Sequence, residues 1–229
     1  MRNVTSKRRA LLALLLLVPA PSLGTLVAMW IAPGSVGKAV YFACKCWILA
    51  LPLVWTLFVD KAPLSFSPVR RGGFGVGASA GLAIGAAMLA AFWVFARDAL
   101  DPAPLHALAQ ENGFAALGVY LAFAGYLTLV NSLLEEYVWR WFVLSKCERL
   151  MPTALAVPAA ALFFTIHHVV ALRSYLPWST TLLTSSGVFI GGVLWGWMYA
   201  RYRSVWPAYL SHALVDTAVF VIGYVLLFA

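Results

Sequence analysis

Long apolar stretches follow one another along almost the whole chain, and short polar segments separate them. A helix needs about 20 predominantly apolar residues to cross a hydrocarbon layer roughly 30 Å thick. Stretches of about this length lie near residues 10–32, 39–59, 74–96, 113–134, 152–171, 182–200 and 205–228. The pattern therefore predicts an all-α fold, a polytopic transmembrane helical bundle of about seven spans with the active site in its interior.

No internal repeat, low-complexity segment or linker divides the sequence, so we expect a single integral membrane domain over residues 1–229. Within it, the spans of residues 10–112 form an N-terminal part, and the spans of residues 113–229 form the catalytic core. The basic N-terminus precedes an apolar run, as in a signal peptide, but no cleavage site is evident and an uncleaved first helix is favoured. The segment 140–150 could continue the fourth helix or lie along the interface as an amphipathic helix.

The amino-acid composition supports a membrane protein. Hydrophobic residues make up 63% of the chain and charged residues 10%, and the mean hydropathy is +0.88. A soluble domain usually carries about 25% charged residues. An apolar excess of this size cannot be hidden in one water-soluble core, so much of it must face lipid.

The positions of the basic residues indicate which partner they bind. The net charge is +8, but the charges fall in short clusters between apolar runs, without the interleaved aromatic and basic residues of a nucleic-acid-binding face. We therefore expect anionic lipid headgroups, and no nucleic acid, as partners of the N-terminal cluster. This cluster consists of Arg2, Lys7, Arg8 and Arg9.

The distribution of Lys and Arg between the connecting segments also predicts the orientation, because cytoplasmic loops carry the excess of positive charge. Most of the 16 Lys and Arg residues fall on the side of the N-terminus: Arg2, Lys7, Arg8, Arg9, Lys61, Arg70, Arg71, Arg140, Lys146, Arg149, Arg201 and Arg203. The opposite side holds Lys38, Arg97 and Arg173, and Lys45 lies within a span. We expect an integral protein of the bacterial inner (plasma) membrane with a cytoplasmic N-terminus.

The first group of ionisable residues lies in EEYVWR at 135–140, at the predicted cytoplasmic end of the fourth span. Each charged side chain at membrane depth costs roughly 2.5–3.5 kcal/mol, so a group of them requires a reason. Glu136 and Arg140 are four residues apart on one helix face and can form an ion pair. Glu135 is turned away from both, and a partly buried carboxylate without a cationic partner suits a general base. The alternative is a solvated helix end with a simple salt bridge.

Two further polar groups lie in the later spans. Of the adjacent His167 and His168, at most one readily faces a given site, because neighbouring helix residues point about 100° apart. Phe164 shares a face with His168 and could orient its imidazole. In the last span, Asp216 follows His212 by four residues and can reach back to set the tautomer of its ring. The alternative for both groups is a role in helix packing alone.

The predicted positions of these three groups along the membrane normal do not coincide. Glu135 is predicted at the cytoplasmic end of its span, and His212 one or two turns into the last span from the same side. His168, however, lies near the far end of a fifth span counted from Pro152. Convergence requires a cytoplasmic segment that runs past Pro152, or a fifth helix that is tilted or starts deeper.

Three motifs in these groups resemble those of a known family. EEYVWR at 135–140 is similar to an EExxxR pattern, FTIHH at 164–168 to FxxxH, and HALVD at 212–216 to HxxxN/D. In this order, on separate hydrophobic spans, they resemble the CAAX prenyl endopeptidase and bacteriocin-processing family of intramembrane proteases, also called CPBP or Abi. The upstream half of the chain resembles this family only in its hydrophobicity.

The resemblance implies an activity and the roles of individual residues. The chain would be an intramembrane endopeptidase, acting on a membrane-associated, prenylated, leader-bearing or tail-bearing peptide. Glu135 would activate the water, supported by Glu136 and Arg140. Three further residues would line the site: His168, His212 and Asp216.

Other assignments stay open under the resemblance. Phe164 and His167 are candidates for substrate binding, but FFTIHH at 163–168 also permits Phe163 with His167 as the second motif. Family members have been described both as glutamic proteases and as metalloproteases, and we favour a reaction without a cofactor. If zinc is present, its ligands would be Glu135, His168 and His212.

Two other functions are compatible with parts of the pattern. Non-enzymatic bacteriocin-immunity or scaffold proteins also resemble this family. A small proton-coupled transporter could use buried histidines and carboxylates as a relay. An inverted-repeat transporter would show matching broken helices in both halves, whereas the ionisable cluster here occurs in the second half.

Overall fold

The computed structural model describes residues 4–65, 67–97, 101–111 and 113–229. Arg2 of the N-terminal basic cluster lies outside these residues. All regular secondary structure in the described part is helical, which confirms the predicted all-α class.

Seven helices in the described residues are long and apolar enough to cross a membrane, and one shorter helix lies between two of them. In chain order they are α1 Thr5–Ile31, α2 Ser35–Val59, α3 Phe74–Ala96, α4 Ala103–Glu111, α5 Leu117–Leu150, α6 Thr153–Arg173, α7 Trp178–Tyr202 and α8 Trp206–Phe228. The predicted membrane bundle is therefore confirmed.

Helix α5 differs from its predicted bounds. It spans Leu117–Leu150 instead of 113–134, so the segment 140–150 continues the helix and does not form a separate interfacial one. Its turns over Tyr126–Asn131 and Glu136–Leu144 are π-helical, with hydrogen bonds from residue i to residue i+5. Wide turns of this kind frequently occur at functional sites, and here the second of them contains residues 136–140 of the motif that begins at residue 135.

The length of α5 removes the disagreement in depth. Glu135 lies fifteen residues before the end of α5 at Leu150, and His168 lies fifteen residues after the start of α6 at Thr153. At ~1.5 Å per residue, both are about 22 Å from the turn that joins these two helices. The predicted position of Glu135 at a helix end was wrong, because α5 continues far beyond it.

Contacts between helix ends show that the connecting segments alternate between two sides of the bundle. On the side of the N-terminus, Arg9 donates a hydrogen bond to the carbonyl oxygen of Val59 (3.2 Å). On the opposite side, the indole of Trp30 donates to the hydroxyl of Ser174 (3.1 Å). Arg140, which the charge pattern had grouped with the connecting segments, is instead buried inside the bundle.

Small residues let α3 approach α8 closely. Gly77, Gly81 and Gly85 are buried on one face of α3. A Cβ atom added at Gly81 would lie 2.8 Å from the carbonyl oxygen of Ser211 on α8. Lipid gives membrane helices no hydrophobic driving force to associate, so van der Waals contacts in such close packing contribute to holding them together. The contact therefore fixes the position of α8 beside the residues of the functional site.

The buried core lies where α5, α6 and α7 meet. Val138, Phe142 and Val143 of α5 are at most 2% exposed. Gly192 brings α7 close to α6, since a Cβ atom there would lie 3.1 Å from the Cβ atom of Ala161. Many large apolar side chains on the outer faces are exposed in the isolated chain, as a lipid-facing surface requires.

Candidate active site

Glu136 connects two of the three motifs directly. It is fully buried on α5, and its Oε2 atom lies 3.3 Å from Nε of Arg140, one turn further along the helix. Its Oε1 atom lies 2.9 Å from Nδ1 of His212 on α8. Because an ionised carboxylate can only accept hydrogen bonds, Nδ1 of His212 is the donor. The ion pair expected between Glu136 and Arg140 is present, and it extends to the last helix.

Glu135 has different partners from Glu136. Its Oε1 atom accepts a hydrogen bond from the side-chain amide of Asn131 (2.9 Å), and its Oε2 atom lies 3.7 Å from Nε2 of His212. Within the described part of the chain, Arg140 pairs with Glu136 and forms no ion pair with Glu135. The Glu135 side chain is 16% exposed, whereas that of Glu136 is inaccessible. Of the two side chains, that of Glu135 is therefore the more accessible.

Asp216 does not orient the ring of His212 through a hydrogen bond. Its Oδ1 atom lies 3.7 Å from Nε2 of His212, which exceeds hydrogen-bond distance. Its Oδ2 atom instead accepts a 2.6 Å hydrogen bond from the hydroxyl of Ser132 on α5. The four-residue spacing places Asp216 near the histidine, but Glu136 takes the orienting position that was predicted for Asp216.

His168 is oriented by two parts of Phe164. Its Nδ1 atom lies 2.9 Å from the carbonyl oxygen of Phe164, and the two rings contact each other with centroids 4.4 Å apart. A carbonyl oxygen only accepts, so Nδ1 carries a proton. In the neutral imidazole, Nε2 is then left with a lone pair that can bind the hydrogen of a water molecule.

Both adjacent histidines approach Glu135, so the expectation that at most one would face the site was wrong. One ligand atom from each of Glu135, His167 and His168 lies within 4.8 Å of the other two. The ring of His167 also stacks on Trp139 of α5, with centroids 5.1 Å apart. The two imidazoles point in different directions from α6, but Glu135 lies between these directions on the neighbouring helix.

The same three residues could hold a metal ion. One carboxylate and two imidazoles form a donor set that suits zinc with an open coordination position. His212, which was predicted as a zinc ligand, is not among the residues whose ligand atoms all lie within 4.8 Å of one another. The structure therefore replaces His212 by His167 in the candidate metal set, alongside Glu135 and His168.

Aromatic rings pack against Arg140 and His212. Phe164 is 1% exposed, and its ring lies 4.5 Å from the guanidinium carbon of Arg140. Trp195 of α7 stacks on His212 with centroids 3.9 Å apart, and its indole donates to the hydroxyl of Ser211 (3.1 Å). Substrate binding by Phe164 and His167 stays a prediction, and the burial of Phe164 favours a supporting role for it.

Three residues near the site were missed by the sequence analysis: Asn131, Ser132 and Trp195. Asn131 precedes Glu135 by four residues, and this helical spacing is a signal that could have identified it. No sequence signal links Ser132 to Asp216 or Trp195 to His212, because these contacts join different helices.

Comparison with known proteins identifies the region that contains the site. Residues 117–218 match the family model described as type II CAAX prenyl endopeptidase Rce1-like. The match covers somewhat less than half of the chain, begins with α5 and ends within α8. No curated protein and no solved structure matches the chain significantly.

The matched region holds the three motifs and the residues of α5 to α8 that contact them, from Asn131 to Asp216. These helices carry the three motifs in the expected order. The motifs, their convergence inside a membrane bundle and the family match agree with one another. Together, the motifs and the match over residues 117–218 support a membrane protease of the CPBP family.

Proposed function

We propose that this protein hydrolyses a peptide bond of a membrane-associated or lipidated protein or peptide, with a water molecule activated by Glu135. One observation carries the proposal: the Glu135 side chain is partly exposed, accepts a hydrogen bond from Asn131, and forms no ion pair with Arg140, which pairs with Glu136. A general base has to reach the water and must not be locked in a fixed ion pair.

Glu135 and His168 are suited to hold the attacking water between them. Nδ1 of His168 donates its proton in a hydrogen bond to the carbonyl oxygen of Phe164, so Nε2 is available as an acceptor. Two acceptors engage both hydrogens of the water and direct an oxygen lone pair towards the scissile carbonyl carbon. Glu135 takes one of these protons as the oxygen attacks.

His212 is suited to stabilise the oxyanion that forms. Its Nδ1 atom donates to Glu136, and its Nε2 atom lies 3.7 Å from oxygens of both Glu135 and Asp216. A proton on Nε2 interacts favourably with these two carboxylates, and Glu136 balances the charge of the ring. An N–H donor that is fixed in a water-poor interior stabilises a developing negative charge effectively.

The reaction balances without a covalent enzyme intermediate. The water oxygen bonds to the carbonyl carbon while a water proton moves to Glu135. The carbon–nitrogen bond then breaks, and Glu135 gives this proton to the leaving amine. The products are a carboxylic acid and an amine, and Glu135 returns to its ionised state.

A metal-dependent reaction would use the same residues differently. Glu135, His167 and His168 could hold zinc, which would supply a Lewis acid for the carbonyl group. Glu135 would then be a ligand, and the two remaining carboxylates already accept hydrogen bonds, Glu136 from His212 and Asp216 from Ser132. We favour the reaction without metal because it leaves Glu135 as the base.

The test compares Glu135→Gln and His212→Ala with the unchanged protein. Each protein is co-expressed with tagged membrane-anchored candidate substrates, and mass spectrometry identifies the new termini. We expect each variant to lose processing by at least about 100-fold, because general bases and oxyanion donors contribute factors of this order. Glu111→Gln is the control, since Glu111 is exposed on α4.

Two results would contradict the proposal. Unchanged processing by Glu135→Gln would exclude this residue as the base. Identical termini with and without the unchanged protein would favour a non-enzymatic role in immunity or scaffolding. A chelator titration of the purified protein tests the metal question, and we expect processing to continue when zinc is removed.

A further inference from the structure

Lys45 is a cation in the middle of a membrane helix that the proposed reaction does not use. It lies ten residues after the start of α2 and fourteen before its end. At ~1.5 Å per residue, these ends are about 15 and 21 Å away, so the side chain cannot easily reach water at either surface. Ionisable residues at such depth generally face the bundle interior and serve a function.

Helix α2 contacts α5 one turn away from Lys45. Leu49, one turn further along, accepts a hydrogen bond through its carbonyl oxygen from the hydroxyl of Tyr137 on α5 (3.3 Å). Tyr41, one turn earlier, has its ring centroid 5.7 Å from the ammonium nitrogen of Lys45. Tyr137 follows Glu135 by two residues, so this contact places α2 beside the turns of α5 that carry the motif.

The ammonium group of Lys45 forms no ion pair with the carboxylates of the site. Its charge interacts with Glu135 on α5 and with His167 on α6. Yet no carboxylate of the described residues lies within ion-pair distance of it. The side chain is half-buried and stacks loosely on Tyr41, so its three hydrogen-bond donors remain available to a ligand.

We propose that Lys45 binds a carboxylate of the peptide substrate, at the C-terminus or on an acidic side chain, and thereby selects substrates and places the scissile bond beside Glu135. This inference rests on the proposed peptide-bond hydrolysis. A carboxylate brought to membrane depth needs an opposite charge, and Lys45 supplies one close to the base. Arg140 also carries a charge at the site, but it pairs with Glu136 through Nε and is 2% exposed, whereas Lys45 is half-buried and therefore more accessible to a ligand.

A different role for Lys45 would be to act on Glu135 itself. In that case its replacement would lower kcat for every substrate. Binding of a substrate carboxylate instead changes KM, and only for peptides that carry this group. The experiment therefore has to separate KM from kcat and acids from neutral peptides.

The probes are two libraries of N-palmitoylated peptides with randomised sequence, one with free C-terminal acids and one with C-terminal amides. They are presented in nanodiscs to the unchanged protein and to Lys45→Met, Lys45→Arg and Lys38→Met. Lys38 is an exposed lysine of the same helix and provides the matched control. Retention of both libraries by Glu135→Gln, with and without Lys45→Met, measures binding independently of cleavage.

We expect the unchanged protein to prefer carboxylate-bearing peptides about tenfold, as a charged hydrogen bond allows. Lys45→Met should abolish this preference through KM, whereas Lys45→Arg and Lys38→Met should keep it. A preference for free acids identifies the C-terminus as the source, and enrichment of Asp or Glu among amides identifies a side chain.

Equal binding of acids and neutral peptides by the Glu135→Gln protein would overturn the inference, and so would an equal loss of kcat for both libraries in Lys45→Met. Selective retention of acids without any cleavage by the unchanged protein would instead support carboxylate binding and contradict the proposed hydrolysis.

Discussion

Two neighbouring polar residues of α5 hold two different carboxylates. The amide of Asn131 donates to Glu135 on the same helix (2.9 Å), and the hydroxyl of Ser132 donates to Asp216 on α8 (2.6 Å). Side chains at adjacent helix positions point about 100° apart, so one residue serves the proposed base and the other serves the contact with the last helix. Neither of them adds a charge to the site.

The first prediction concerns Asn131. Replacing it by alanine removes the donor that fixes the Glu135 carboxylate, and a hydrogen bond to a charged group contributes about 1.5–3 kcal/mol. We expect kcat of Asn131→Ala to fall at least about tenfold while KM changes little, because the base is misplaced and the substrate contacts remain. Steady-state kinetics on a cleaved peptide measure both values.

Gln110→Ala is the control for this variant, because it removes a carboxamide from an exposed position of α4. A rise in KM with unchanged kcat would show that Asn131 binds the substrate and does not position Glu135.

The candidate site was largely predictable at the level of single residues, but its connections were not. Glu135, Glu136, Arg140 and the histidines could be found because ionisable residues are rare inside apolar spans. Spacing along one helix showed that Glu136 can reach Arg140. It could not show that Glu136, and not Asp216, accepts the hydrogen bond from His212, because that choice depends on how α5 and α8 are placed relative to each other.

At the level of helices, the end of α5 illustrates why a helix can continue beyond the apolar stretch that predicts it. Lys146 looked like part of a polar connecting segment, yet it is 2% exposed. Its ammonium group pairs with Asp60, which follows α2, and Arg149 donates to the same carboxylate (2.9 Å). A charge pattern along the chain does not reveal a partner that comes from another helix.

The second prediction uses this cluster. Burial favours the neutral form of Asp60, but hydrogen bonds and charges from Lys146 and Arg149 outweigh it and hold the pKa of Asp60 below its ordinary value of 3.8. A lowered pKa in the folded protein means that the ionised form stabilises the fold. This contribution is complete above pH 3.8 and is lost as the pH falls through the lowered value.

We therefore expect Asp60→Asn to melt at a lower temperature than the unchanged protein at neutral pH, and the difference to shrink as the pH falls below about 4. Thermal unfolding in detergent between pH 3 and 7 measures it, with the exposed Glu111→Gln as the control. A difference that stays constant over this range would show that the Asp60 charge does not contribute.

The third prediction concerns the contact between α3 and α8. A Cβ atom at Gly81 would come within 2.9 Å of the Cβ atom of Leu214, as well as close to Ser211. Because overpacking costs roughly 1–3 kcal/mol, Gly81→Ala should lower the melting temperature. It should also reduce proteolytic activity, because the displaced α8 carries His212. Gly75→Ala introduces the same methyl group into the same helix where nothing lies within 4 Å, and both properties should be unchanged.

A loss of stability in Gly81→Ala without any loss of activity would show that the contact supports the bundle but does not position the site. Equal effects of Gly81→Ala and Gly75→Ala would point to backbone flexibility of α3 instead of close packing.

At the scale of the whole molecule, the alternation of the helices divides the basic residues unequally. The side of the N-terminus carries ten basic residues of the described chain: Lys7, Arg8, Arg9, Lys61, Arg70, Arg71, Lys146, Arg149, Arg201 and Arg203. The opposite side carries Lys38, Arg97 and Arg173. Arg140 is buried in the bundle and belongs to neither side, and the bias without it still favours a cytoplasmic N-terminus.

The fourth prediction is this orientation, tested in a bacterial inner membrane. Single cysteines are introduced into a protein in which Cys44, Cys46 and Cys147 are replaced by alanine. Arg71→Cys lies before α3 and Ala103→Cys lies after it, and both positions are exposed. A maleimide that cannot cross membranes should label Ala103→Cys in intact spheroplasts, and Arg71→Cys only after the membrane is disrupted. The reverse pattern would place the N-terminus outside and contradict the orientation that the basic residues predict.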